Sequence, residues 1–161
     1  HNSPEWRSRG IGDPVNATNS SSGKLGDADF QSIKKFQCVA YEAHAGRLSS
    51  IYLEEHLRTL RRNLPKRIQE WEAVADLAAW KLDLVFVVHA SKCNVKRVEL
   101  EYPLKNRIRI LNFNHFAKKC FEANPLKEKD LCELFNRIVL TRLAADNTPH
   151  EVKKKVIKLL K

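Results

Sequence analysis

PKRIQEWEAVADLAAWKLDLVFVVH, residues 65–89, is the stretch on which the fold turns. At helical spacing, Ile68, Trp71, Val74, Ala75, Ala78, Leu82, Val85 and His89 fall along one side, and Leu77, Leu84 and Val88 widen that side. A helix apolar over so broad an arc is enclosed by other helices. The alternative makes 82–89 a buried strand, because Val and Phe favour strands, with 95–102 as a second. The unbroken helical period upstream decides for the helix.

Working outward, prolines punctuate the chain at 65, 103, 125 and 149, each where an amphipathic pattern begins. Thr148-Pro149-His150-Glu151 combines a threonine N-cap, a proline at the first helical position and a glutamate able to reach back to the cap. Towards the N-terminus, Asp29 is read as an N-cap for a short helix through Ile33, Phe36, Ala40 and His44, stopped by Gly46. Ser49-Ser50 caps the next, with Ile51, Leu53, Leu57, Leu60 and Leu64 as its stripe. After Pro103 come Leu104, Ile108, Leu111 and His115. After Pro125 come Leu131, Leu134, Phe135, Ile138, Leu140 and Leu143, and the last helix sets Val152, Val156, Ile157 and Leu159 against lysines. The expectation is an all-α compact multi-helix bundle over 29–161. Residues 1–28 hold four of the five glycines and a serine run, and are expected to be a disordered tail.

The chain has 161 residues, 43% of them hydrophobic, which is enough for a core of ordinary size. Residues 31–161 carry 26 basic side chains against 15 acidic ones, an excess that predicts an anionic or acidic partner. Cys38, Cys93, Cys120 and Cys132 show no tight spacing and are read as free thiols of a reducing compartment. The sequons at Asn16 and Asn19 keep a secreted helical signalling protein as an alternative. The longest apolar run, Leu84 to Val88, is too short to span a bilayer.

Chemistry is sparse at this level. Between 29 and 161 the one glycine is Gly46, which excludes phosphate-cradling loops. His89 with Cys93, and His115 with Cys120, lie near metal-ligand spacing, but without a close cysteine pair they are read as core residues. No catalytic residue, cofactor or metal is expected, and the protein is read as non-enzymatic. Arg58, Arg61, Arg62, Lys66 and Arg67 form the densest basic patch, which supports a nucleic-acid-binding domain as the other alternative.

From Phe116 to Leu160 the order is an amphipathic helix, Asn124-Pro125, the run Leu131 to Leu143, Asn147-Thr148-Pro149-His150-Glu151-Val152, and a basic helix. This resembles the N-terminal domain of transcription elongation factor TFIIS and its LEDGF-type chromatin relatives, although the family's short Ile-Gly element has no counterpart at Asn136 to Leu140. The resemblance implies a compact bundle that docks short disordered motifs of other proteins, in a nuclear transcription or chromatin assembly. The expected partner is an acidic or amphipathic segment of another protein. Its groove is expected at Phe113, Phe116, Leu131 and Phe135, flanked by Lys118, Lys119 and Arg137.

Overall fold

The computed structural model describes residues 5–10, 23–123, 127–144 and 148–159; within 127–144 the side chains of Glu128, Leu131, Cys132, Leu134, Phe135, Ile138, Val139 and Arg142 are not described. The chain forms two compact units, His1–Ala117 and Lys118–Lys161. The first is built on a sheet, so the all-α helical bundle is corrected to a mixed α/β fold.

Five strands lie in the order β1 (Arg7–Arg9), β2 (Ala28–Ser32), β3 (Gln37–Leu48), β4 (Lys81–Ser91) and β5 (Lys105–Asn112). β1–β2 and β2–β3 pair antiparallel; β3–β4 and β4–β5 pair parallel. The crossover between β3 and β4 is the helix α1 (Ser50–Glu72), followed by a 3-10 turn over Leu77–Ala79. Among the described residues three further helices follow β5: α2 (Phe113–Ala123), α3 (Glu128–Ala144) and α4 (His150–Leu159). The last two lie where Pro125 and Thr148-Pro149 place them, and Pro149 accepts from the amides of Val152 and Lys153.

Each departure from the helical expectation has a packing reason. Leu82 to Val88 are buried without interruption because β4 lies between β3 and β5 with both faces covered. A strand covered on both faces loses the two-residue alternation that would mark it, and its apolar run then matches a helical stripe equally well. The expected helix over 29–44 is instead the β2–β3 hairpin. It turns at Phe36, whose backbone sits at φ 46 and whose amide bonds the Ile33 carbonyl at 3.2 Å. Pro103 opens a strand, not a helix. The other strand candidate, 95–102, lies in the connection from β4 to β5, which carries no regular structure and fastens to the core through Val98. Gly46, expected to stop a helix, lies in a bulge of β3 between His44 and Arg47.

The stripe Leu53, Leu57, Leu60, Leu64, Ile68 and Trp71 runs through Pro65 without a break, so two expected helices are one. It packs on the face of the sheet carrying Cys38, Ala40, Leu82, Leu84, Phe86 and Val88, and Trp71 stacks on Trp80 with ring centroids 5.0 Å apart. A smaller cluster of Val39, Val85 and Val87 with Trp6, Tyr41, Leu111 and Phe116 covers the opposite face. Within the segment expected to be a disordered tail, Arg7–Arg9 pairs with β2 and Leu25 joins the core. The two sequons lie outside the described residues.

Candidate functional site

In the β2–β3 ladder Ala28 pairs with Tyr41, and one step further along Asp27 reaches β3 beside Glu42: its Oδ2 accepts from the Ala43 amide at 2.8 Å. Gly26 is required here, since a Cβ on it would stand 2.5 Å from the Tyr41 carbonyl oxygen and 3.4 Å from Glu42 Oε2. Two residues after Glu42, on the same face of a strand whose side chains alternate, comes His44. The bulge that follows bends β3 directly beside this histidine, a device by which sheets re-aim side chains.

The helix α1 brings the rest. Ser49 caps it by accepting from the Tyr52 amide at 3.2 Å, which sets its first two turns over the C-terminal half of β3. Tyr52 and His56, four residues apart, therefore share a face. The ring of Tyr52 lies on His44 at 3.8 Å and on His56 at 4.2 Å, centroid to centroid. His56 Nδ1 meets Glu42 Oε1 at 3.0 Å.

The electrostatics follow from that packing. The hydrogen bond to Glu42 raises the His56 pKa above the ordinary 6.5; partial burial opposes this, and the charges of Glu42, Asp27 and Glu55 add to it. Burial first, then the same three carboxylates, push the Tyr52 hydroxyl up to about 12. A chain of net charge +10 thus concentrates negative charge at one end of its sheet. Around it stand an imidazole favoured in its protonated form and a phenol that keeps its proton. The cluster lies towards the C-terminal ends of parallel strands β3 and β4. Among the described residues no group of three or more His, Cys, Asp and Glu is disposed to hold a metal ion by itself. A hard cation needs fewer protein ligands, since magnesium is held by one or two carboxylates together with substrate phosphates and water.

The expected site residues fall partly in the first unit and partly in the second. Phe113 is exposed at the start of α2, while Phe116 packs on Tyr41 at 5.8 Å as part of the core of the first unit. Lys118, Lys119 and Arg137 are exposed in the second unit, and the side chains of Leu131 and Phe135 lie outside the described residues. Of the basic patch, Arg58, Arg61, Arg62 and Lys66 line α1 towards solvent or its margin, with Arg61 paired to Glu54 at 2.9 Å. Arg67 does not belong to the patch: it is fully buried, and its Nη2 donates to Asp29 Oδ1 at 2.8 Å. His89 follows the buried run of β4 and is exposed, as are His115 and Cys120, so these three are not the core residues expected; Cys93 is half-buried with its Sγ 3.8 Å from Ser50 Oγ, and Cys38, Cys93 and Cys120 are free thiols.

Glu42 and His44 were missed because 29–44 reads as a helix, Asp27 because it falls in the segment read as a tail, and Tyr52 and His56 because nothing next to them in sequence marks them. Glu42-Ala43-His44 at strand spacing is the signal that would have found the first two. Comparison with family models, characterised proteins and solved structures finds no match.

Proposed function

We propose that the α/β unit binds a nucleic acid strand and hydrolyses its phosphodiester backbone at the carboxylate–imidazole cluster. The observation that carries this is the placement of Asp27 beside Glu42, with His44, Tyr52 and His56 around them, at the C-terminal ends of parallel strands in a chain of net charge +10. The positive excess gathers a polyanion. The two carboxylates suit a hard divalent cation shared with a phosphate group, which would supply charge neutralisation. In the reaction a water oxygen attacks phosphorus and the bond to one sugar oxygen breaks. His44 takes the proton of the water, and His56, protonated against Glu42, returns one to the leaving oxygen. Tyr52 donates a hydrogen bond to a phosphate oxygen.

The test uses the full chain with labelled single- and double-stranded oligonucleotides in magnesium or manganese. Asp27→Asn and Glu42→Gln are each expected to slow cleavage by about 100-fold or more. A wild-type protein that forms no product, or variants that cut as fast as it does, would overturn the assignment.

Docking of an acidic or amphipathic segment, in a nuclear transcription or chromatin assembly, is the second reading and belongs to the Lys118–Lys161 unit. It draws on the apolar side chains that α3 and α4 leave exposed, Leu140, Val152 and Ile157, beside the lysines of α4. Affinity capture with that unit's surface lysines reversed in charge would separate it from strand binding.

A further inference from the structure

On the face of the sheet turned away from α1, the C-terminal ends of β3, β4 and β5 enclose a cleft of about 500 Å³. Ala43, Ala45 and Val87 form its lining with Phe113, His89 and Asn114 supply polar groups, and His44 lies at its border with its ring on the other face against Tyr52. The volume lies within the range of small-molecule sites. Two features of its construction narrow the occupant. Alanine at 43 and 45 leaves only methyl groups on that stretch of strand, a flat floor. The Phe113 ring, 59% exposed, stands beside it as a wall with no aromatic neighbour among the described ring contacts. Asn112 holds Phe113 in place: its Oδ1 accepts from the Asn114 amide at 2.9 Å and its Nδ2 donates to the His89 carbonyl at 2.8 Å. A flat slot with one rigid aromatic wall and polar groups beside it suits a planar heteroaromatic ring.

The third feature is His44. It borders this cleft and also stacks on Tyr52 in the carboxylate cluster. An occupant of the cleft therefore lies across β3, at the same end of the sheet, from the place where a phosphate would be handled. We infer that the cleft receives one nucleobase of the bound strand, unstacked from its neighbours and laid against Phe113, with His89 and Asn114 addressing its polar edge. The inference rests on the proposed phosphodiester activity and assigns that site its selectivity for unpaired bases over bare backbone. Base–aromatic stacking tolerates any base, so the slot fixes the strand without reading its sequence.

The experiment uses the full chain and two single strands of equal length. One carries a single 2-aminopurine among thymidines; the other is abasic throughout, with the same phosphates. Binding is expected to change the 2-aminopurine emission. Phe113→Ala is expected to weaken the base-bearing strand about tenfold while leaving the abasic strand unchanged. Ala45→Leu, which narrows the floor at an exposed position, is expected to do the same, so a folding defect in one variant does not decide the matter. Equal affinity of wild type for both strands, or equal losses on both strands in the variants, overturns the inference and leaves the phosphodiester reading standing. Binding of neither strand overturns both.

Discussion

Glu42 is 9% exposed, yet it sits among other acidic groups, and it remains tolerable there because His56 stands 3.0 Å away. That pairing links the stability of the fold to pH. The folded His56 has its pKa raised above 6.5, so the folded state binds the proton more tightly than the unfolded chain does. The stabilisation is complete below pH 6.5 and is lost as pH rises through the folded value. The urea midpoint is therefore expected to fall from pH 6.5 upward, and Glu42→Gln to flatten that fall; an unchanged slope in the variant would deny the coupling. Asp83 has the opposite sign: burial pushes its carboxyl up, but the hydrogen bond and charge of Arg107, with Arg109 and Gln37, hold it net below its ordinary 3.8. Its contribution is present above 3.8 and lost as pH falls through the folded value. None of this was legible residue by residue. Arg67 reads as one more surface arginine beside Arg61 and Arg62, and only the packing of α1 on β2 seals it against Asp29. Two of its nitrogens, Nε and Nη1, are buried with no hydrogen-bond partner in the structure.

At the scale of elements, α1 shows a local rule outvoted. A proline inside a helix removes one ladder hydrogen bond and costs about 3 kcal/mol. The stripe from Leu53 to Trp71 is nevertheless buried along its whole length, and burial of such side chains is worth about 1.5–3 kcal/mol each. Breaking the helix at Pro65 would expose part of that stripe. Pro65→Ala is expected to raise stability by about 1–2 kcal/mol, the restored hydrogen bond being partly offset by a freer unfolded chain. The measurement is the urea midpoint at unchanged slope, and no gain would show that the Arg61 carbonyl already has a partner. Two of the expected caps were legible, while Asp29, read as another, lies in β2. Ser49 and Thr148-Pro149 stand where helices begin, because a cap depends on three or four consecutive residues and on nothing distant. β5 was illegible, and β4 stood only as the alternative reading of 82–89, for the converse reason, since their identity as strands is settled by the neighbours that cover them.

For the whole molecule, the charge of +10 makes association with a polyanion strongly dependent on salt. Affinity for a single-stranded oligonucleotide is expected to fall linearly in log–log form, at about 0.7 per phosphate neutralised. A flat salt series would remove nucleic acid from consideration and leave the peptide reading of the Lys118–Lys161 unit. Composition, net charge, capped helix starts and the apolar stripe of α1 were determined by the sequence itself, because each is a property of adjacent or periodically spaced side chains. The sheet, the burial of Arg67, and the meeting of Asp27 and Glu42 with Tyr52 and His56 were decided only in three dimensions. Strand pairing joins residues far apart in the chain, and a carboxylate acquires its chemistry from the charges and rings that packing sets beside it.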